Sequence, residues 1–496
     1  MGQSAAAKRP KPSAAAFAAA GEDRLSALPD DVLVVILLRL DTAAAVRTSA
    51  VSRRWRRVWA LLPELRFPNG ADPRLVASAL ASHEAAISYL GVEAVDAALE
   101  SVEACLAVAA GRLSGRVIFQ NRVSGGNAGG DGKEETGDLG SFELPCFESA
   151  TTVSLDLGFL GLAMPLAGVF ARLTDLSLRS VHFHGPCELG DAVSSLRCPC
   201  LQKLSVSKAR GLANLFIHSE SLILLSLQAL HGLQQLNVVA QALKKLTLAC
   251  CFTHGRPVAN ISTTQLVSLQ WLDSYDPNSV QLDDLSQVKS LICTFNVYDS
   301  HGSWCNRGSQ QLLKRFQALL TLQISLFYPK NIGSFQYAMG ELTKLPCLTS
   351  LAIMIRRNGH TFGASLFHVL RMCSDIRNLV VMLLDLEEPF MCPSGCVCGH
   401  SMDWNTEELT LNFLQEVAID MEGTDHQVAV VKRLFTWVVV LKRMQITFHP
   451  SLSECKVREL RQMLSSFSGP ETRVEFYMYH TSGTMKFDRK RYLLGP

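Results

Sequence analysis

The sequence predicts an α/β chain in which three short helices lead a long array of parallel strands and a closing segment follows. Three observations predict it. An apolar triplet, spaced as residue, two spacers, residue, one spacer, residue, recurs between positions 150 and 446. The stretch 23–67 instead carries helical periodicity broken by turn signals. Finally, 48% of the 496 residues are hydrophobic and only 19% are charged, against a usual charged share of about 25%, so most of the chain can bury a core. At about 100 to 200 residues per domain, this length suits two to four units or one repeat array with an appendage. The recurrence favours the array.

Residues 1–21 are mostly Ala, Lys, Pro and Ser with almost no large apolar side chain, and cannot offset the entropy of ordering. A disordered tail is expected. The cluster Lys8-Arg9-Pro10-Lys11-Pro12 has the composition of a nuclear import signal, and the acid-free alanine-rich stretch that of a plastid transit peptide. A solvated tail is the simpler reading of both.

In the next unit, 22–67, Pro29 is expected in a first helical turn with Asp30 and Asp31 beside the positive helix end. Leu33, Ile36, Leu37 and Leu40 mark one face of that helix, while Val32, Val34 and Val35 cover most of the remainder. A short helix apolar nearly all round must be buried on two sides. A later helix sets Val51, Trp55, Val58, Trp59 and Leu62 on one side and Arg53, Arg54, Arg56 and Arg57 on the other. About 45 residues cannot enclose two such faces alone, so docking on a partner is expected. Eight basic against five acidic residues give 23–67 a net +3, a local basic surface without the interleaved aromatics that nucleic-acid binding needs.

The Leu28-Pro29-Asp30-Asp31 opening, the Ala45-Val46-Arg47-Thr48-Ser49 middle and the Val51-Ser52-Arg53-Arg54-Trp55-Arg56 helix closely resemble an F-box. By that motif substrate receptors attach to the Skp-type adaptor of Skp-Cullin-F-box ubiquitin ligases. The resemblance implies that Leu28, Pro29, Val32 and Ile36 contact the adaptor, with Trp55 supporting the helix packing. One departure is Ala43-Ala44-Ala45, where the family usually has a polar or charged residue; alanine strengthens the helix.

Residues 68–123 read as a helical linker with alanine-rich helices at 77–90 and 92–110, and 124–140, SGGNAGGDGKEETGDLG, as a flexible glycine-rich loop. That loop carries no phosphate-binding logic, because Gly132-Lys133 is followed by Glu134 where Ser or Thr would hold the metal.

From 141 to 405 the triplet dominates. It runs through Ala150-Val153-Leu155, Leu173-Leu176-Leu178, Leu201-Leu204-Val206, Leu212-Leu215-Ile217, Leu222-Leu225-Leu227, Leu233-Leu236-Val238 and Leu243-Leu246-Leu248. Wider-spaced copies begin at Leu266, Val288, Leu319, Leu348, Ile376, Leu414 and Leu441. This is the leucine-rich-repeat signature, and a curved solenoid with outward strand positions as its binding surface is expected. Starts between Leu201 and Leu243 differ by only 10 or 11 residues, too few for a helix, so the return leg there is itself a strand and one full coil is 21 residues. Later spacings leave room for helices at 310–320 and 362–373.

A solenoid needs a cap, and 406–496 looks built for one. Asp425 or Thr424 can cap a helix whose face is Val428, Val431, Leu434, Phe435 and Val438; a strand at 441–448, a helix at 454–464 and a strand at 474–478 follow. The run LNFLQEVAIDMEGTDHQVAVVKRLFTWVVVLKRMQITF resembles the FBD segment at the C-terminus of many plant F-box/leucine-rich-repeat proteins. The expected fold is therefore α/β: an N-terminal three-helix F-box, a leucine-rich-repeat solenoid and an FBD-like C-terminal cap.

Candidate chemistry is sparse. Cys392, Cys396, Cys398 and His400 are metal-ligating types, but spacings of 4, 2 and 2 compress them into nine residues, whereas structural zinc sites pair a C-x(2-4)-C with a distant second pair. No metal and no cofactor are expected. His83-Glu84 begins like a zinc-protease helix, but Ile87 stands where the second histidine belongs. His182, His184, His254, Cys250 and Cys251 read as packing or surface residues, and no catalytic residue is assigned.

The balance of 47 basic to 45 acidic residues, net +2, is too small to steer the whole molecule onto nucleic acid or anionic lipid. Apolar runs stop at about seven residues where a membrane span needs roughly 18, so no membrane partner is expected. An odd fifteen cysteines without an export signal suit a reducing compartment, cytosol or nucleus. The resemblance implies a substrate receptor, not an enzyme, that holds a Skp-type adaptor and, through it, cullin and RING subunits, together with an unknown target protein. Two other readings stay open. One is a binding scaffold outside any ligase. The other is a small-molecule sensor, which would need convergent basic residues, whereas the outward spacers Ser177, Ser205, Ser226 and Thr247 are small and neutral.

Overall fold

The computed structural model describes residues 28–40, 42–48, 50, 52–124, 140–184, 188–252, 257–299, 304–384, 392, 396–399, 404–479 and 491–493. The tail at 1–21, nearly all of the glycine-rich loop and His400 lie outside these residues. Two compact units divide at Gly129/Gly130. No described helix is long and apolar enough to cross a membrane.

The first unit opens with α1 (Asp30–Leu37), α2 (Thr42–Thr48) and α3 (Arg53–Trp59). Pro29 stands one position earlier than expected: it is the N-cap of α1, and its carbonyl accepts the first helical bonds from Val32 and Leu33. Ser52 caps α3 by accepting from the Trp55 N–H at 3.3 Å. Leu33, Leu37, Ala45, Val58, Trp59 and Leu62 close the small core. Arg54 of α3 ties back to the start of α1, donating to Asp30 at 2.9 Å and to the Leu28 carbonyl.

The interval 68–123 is not a helical linker. Strands Glu64–Phe67, Ile87–Val95 and Leu113–Arg122 pair in parallel, with α4 (Pro73–Ala81) and α5 (Leu99–Arg112) between them. The expected helices at 77–90 and 92–110 are each interrupted by the strand Ile87–Val95, where Ile87, Leu90, Val92 and Ala94 are buried. From Leu90 onward the buried residues recur at every second position. That is a strand period, and it outweighs the helix propensity of the flanking alanines.

In the second unit the triplets are strands, and their central residues stack in register. Leu176, Leu204, Leu225, Leu246, Leu269 and Leu291 pair successively across a parallel ladder. Leu322, Leu351, Leu379, Val417 and Met444 continue it. Slipping any strand by one residue would turn a buried apolar residue, in most strands a leucine, outward, so this repeated position fixes the register. The 10- and 11-residue spacings behave as expected, with Asn214–His218 and Gln235–Val239 as extended return legs; Val258–Ser262 and Val280–Leu282, which lie beyond those spacings and were not expected, extend them into a separate four-stranded parallel sheet.

Farther along, the return legs become helical at Trp304–Leu313, Gly363–Leu370, Asp425–Trp437 and Glu454–Ser465. The first of these starts and ends earlier than the expected 310–320, because the strand Ala318–Phe327 already claims Leu319. Thr424 caps the Asp425–Trp437 helix in a capping box with Gln427. Its buried face is Gln427, Val430, Val431, Leu434 and Trp437, rotated from the expected one, with Val428 and Phe435 only half-buried. The last strand of the parallel ladder, Arg473–Tyr479, is covered by an antiparallel strand, Arg491–Leu493.

Candidate functional site

The first candidate is the outer face of α1. Leu33 and Leu37 face inward, but Leu40, expected beside them, is 45% exposed. Val32 and Val35 are 42% and 55% exposed. Pro29, Val32, Val35 and Ile36 follow one another at spacings that share a helix face, with Pro29 exposed and Ile36 half-buried. Leu28 is half-buried, and so is Trp55, which leaves the tight packing of α3 to Val58 and Trp59. Val46 of α2 and Leu38 add exposed apolar surface. Sequence reasoning named Val32 and Ile36 as contacts but not Val35, Leu38 or Val46; the all-round apolar pattern of α1 was the signal for Val35 and Leu38, while Val46 of α2 had none. Contiguous apolar surface on a small helical unit marks a docking site.

His83 is a core residue. Its Nε2 lies 2.8 Å from the Leu62 carbonyl and its ring meets Trp59 edge-on at 5.4 Å, and burial holds its pKa below the usual histidine value.

The second candidate is a thiol–imidazole cluster that local spacing could not disclose. The ligand atoms of His360, Cys392, Cys396 and Cys398 all lie within 4.8 Å of one another. His360 takes the place that the sequence suggested for His400, and it comes from a segment 32 residues before Cys392. After the strand Cys347–Arg356, Asn358 and Gly359 adopt positive φ of 46° and 80°, and the His360 N–H returns to the Arg357 carbonyl at 2.9 Å. Such a left-handed pair is a turn signal, and it aims the imidazole at the thiols. Burial holds the His360 pKa below the usual value despite hydrogen bonds to the Lys330 and Pro329 carbonyls. Burial, and after it the neighbouring Cys396 and Cys398 thiols, push the Cys392 thiol up to about 12.

A family model for the F-box domain matches residues 25–67. An F-box/FBD/LRR-repeat protein of Arabidopsis thaliana is 48% identical over 52 residues, which is 10% of this chain and 12% of that one. A putative F-box/FBD/LRR-repeat protein of the same plant is 28% identical over 313 residues, 60% of each chain. Another is 27% identical over 235 residues, 42% of this chain and 46% of the relative. The chain spans three fifths or less of the length of these curated relatives. Helices α1 to α3 thus make this an F-box protein. The longer matches, at 28% and 27% identity, are to plant proteins that carry the F-box/FBD/LRR-repeat name.

Proposed function

We propose that the chain is the substrate-recognition subunit of a Skp-Cullin-F-box ubiquitin ligase. The outer face of α1, centred on Leu28, Pro29, Val32 and Ile36 and extended by Val35, holds the Skp-type adaptor, with Trp55 behind it. The parallel ladder of the second unit is a leucine-rich-repeat solenoid, closed by an FBD-like segment, whose outward strand positions receive a target protein. The observation that carries this reading is the exposed apolar α1 face within a matched F-box domain.

In this reading the chain performs no bond chemistry. A RING subunit on the cullin brings the charged conjugating enzyme, and the receptor raises the local concentration of target lysines. The character of the outward ladder supports a protein target over a charged small ligand. Ser154, Ser177, Ser205, Ser226 and Thr247 stand in register along it, small and uncharged, and let another backbone approach closely. Toward the other end the row reaches Gln445 beside Glu475, whose carboxylate accepts from Arg443, Gln445 and Tyr477.

The test is co-precipitation of a Skp-type adaptor with the full chain and with a Val32→Asp/Val35→Asp variant. Both valines are exposed, so the variant keeps the parent's helical signal and Tm. Adaptor capture is expected to fall by at least about tenfold, since truncating apolar anchors at an interface costs about 2 kcal/mol or more. Undiminished capture by the variant would sink the assignment of this face, and failure of the parent to hold adaptor at all would favour a scaffold outside the ligase.

A further inference from the structure

We propose that His360, Cys392, Cys396 and Cys398 form a structural zinc site that fastens the connection between the strands Asn378–Leu383 and Glu416–Met421 to the turn after Cys347–Arg356. Among the described residues these four make the one group of His, Cys, Asp and Glu side chains close enough to share an ion. The compressed cysteine spacing, which argued against a metal when His400 was the fourth candidate, is no obstacle once the fourth ligand arrives from a separate segment.

All four ligand atoms lie within 4.8 Å of one another, and three of the six separations are already close to the edges of a tetrahedron around zinc. His360 Nδ1 lies 3.2 Å from Cys392 Sγ and 3.5 Å from Cys396 Sγ, and Cys392 Sγ lies 3.5 Å from Cys398 Sγ. Zinc bound at about 2.3 Å to sulfur and about 2.0 Å to nitrogen sets tetrahedral N···S and S···S edges of about 3.5 and about 3.8 Å. A disulfide would bring two sulfurs to about 2.05 Å, well short of the 3.5 Å between Cys392 Sγ and Cys398 Sγ.

The histidine is oriented as a ligand. Its Nε2 faces the Pro329 and Lys330 carbonyls at 3.2 and 3.3 Å, which commits the ring N–H to that side and leaves the Nδ1 lone pair toward the sulfurs. Metal-bound histidines are held by such an outer hydrogen bond on the opposite nitrogen. Next to it, the Thr361 hydroxyl donates to the Cys398 carbonyl at 2.8 Å, joining the two ligand-bearing segments directly. The donor set is three sulfurs and one neutral imidazole nitrogen with no carboxylate, which suits zinc and disfavours magnesium or calcium, both of which need oxygen. Binding places Zn2+ on the three sulfurs and releases their protons to solvent, with no change of oxidation state.

What the ion would fasten is visible in the packing. Trp404, a few residues beyond the cysteines, lies so close over Gly363 that an added Cβ would meet its ring at 2.3 Å. The same ring meets His426 and Trp437 edge-on, at 5.4 and 6.5 Å. The metal would hold the cysteine segment down on one side of that contact, and Trp404 on the other.

The test uses the full chain, purified without added metal or chelator. Elemental analysis should give one zinc per chain, and replacement with cobalt should give the thiolate charge-transfer and tetrahedral d–d bands of a sulfur-rich site. Cys396→Ser and His360→Ala should each reduce retained zinc at least about tenfold after dialysis against a weak chelator. His400→Ala should retain it. Adaptor capture and far-ultraviolet circular dichroism of Cys396→Ser should match the parent, which separates loss of the ion from loss of the fold. The proposal is overturned if the parent carries no zinc and takes up none when zinc alone is added. It is equally overturned by a Cys392–Cys396 or Cys392–Cys398 disulfide in non-reducing mass spectrometry, by full zinc in Cys396→Ser, or by zinc lost on His400→Ala and kept on His360→Ala.

Discussion

His426 accepts from the backbone N–H groups of both Phe362 and Gly363 at 3.1 Å, a role that only the neutral imidazole can fill. Burial, and after it the Arg357 charge, hold its pKa down to about 4. An unfolded chain takes up this proton near pH 6.5, and the folded one refuses it until about pH 4. Stability is therefore complete above the unfolded value and is lost as pH falls through that window, by roughly 3 kcal/mol at its end. The Tm of the parent should drop more between pH 7 and pH 5 than that of His426→Gln, which cannot titrate, and thermal melts at the two pH values check it. Asn306 is a second single residue with large leverage. Fully buried, it donates to the Asn296 and Ala338 carbonyls at 2.8 and 2.9 Å and accepts from the Asn296 N–H at 2.8 Å. Asn306→Ala orphans these backbone groups, and at about 1 to 3 kcal/mol for each unsatisfied group it should cost several kcal/mol in denaturant unfolding.

At the scale of the element, Ile87–Val95 separates a helical from an extended reading experimentally. As a strand it buries Leu90, Val92 and Ala94 and turns Tyr89, Glu93 and Val95 toward solvent to varying degrees. Aspartate at positions 90, 92 or 94 should therefore abolish soluble folded protein, while aspartate at 89, 93 or 95 should be tolerated, a sensitivity of period two measured by soluble yield and Tm. Sensitivity at every third or fourth position would restore the helix. The motif was present in the sequence, as Leu62-Leu65-Phe67 and Ile87-Leu90-Val92, but alanine-rich flanks with high helix propensity masked it. The later triplets were legible because leucine fills the central position of nearly all of them. Val258–Ser262 was hidden for the opposite reason, since its inward pair is Ala259 and Ile261 and alanine gives little pattern. Caps were partly legible: Thr424 and Gln427 form the capping box, yet the helix they start is rotated so that Trp437 is buried. For the sites, the two-sided apolar character of α1 could be read locally, whereas the pairing of His360 with the cysteines is a tertiary fact with no local spacing to carry it.

At the scale of the whole molecule, a parallel ladder of stacked strands has ends, and its stability depends on how they are covered. Removing 406–496 deletes the strands Glu416–Met421, Arg443–Phe448 and Arg473–Tyr479 and leaves Asn378–Leu383 as an open edge. It also strips the Gly363–Leu370 helix, every residue of which is buried, of its contact with the Asp425–Trp437 helix, where Phe367 meets Trp437 at 5.5 Å. At about 25 cal/mol per Å2 of apolar area, even roughly 300 Å2 of newly wetted core costs several kcal/mol, comparable to the whole stability of a typical domain. An unpaired, apolar edge strand is in addition a template for aggregation. The truncated chain should therefore precipitate where the full chain stays in solution. In any soluble fraction, hydrogen exchange should be fastest at Asn378–Leu383 and Cys347–Arg356 and approach parental rates by Lys203–Arg210, because each strand is supported mainly by its neighbours. Parental protection right up to the cut, in a soluble monomer, would mean that the last strands fold as a module of their own, and their continuous register with the ladder would then need an explanation other than capping.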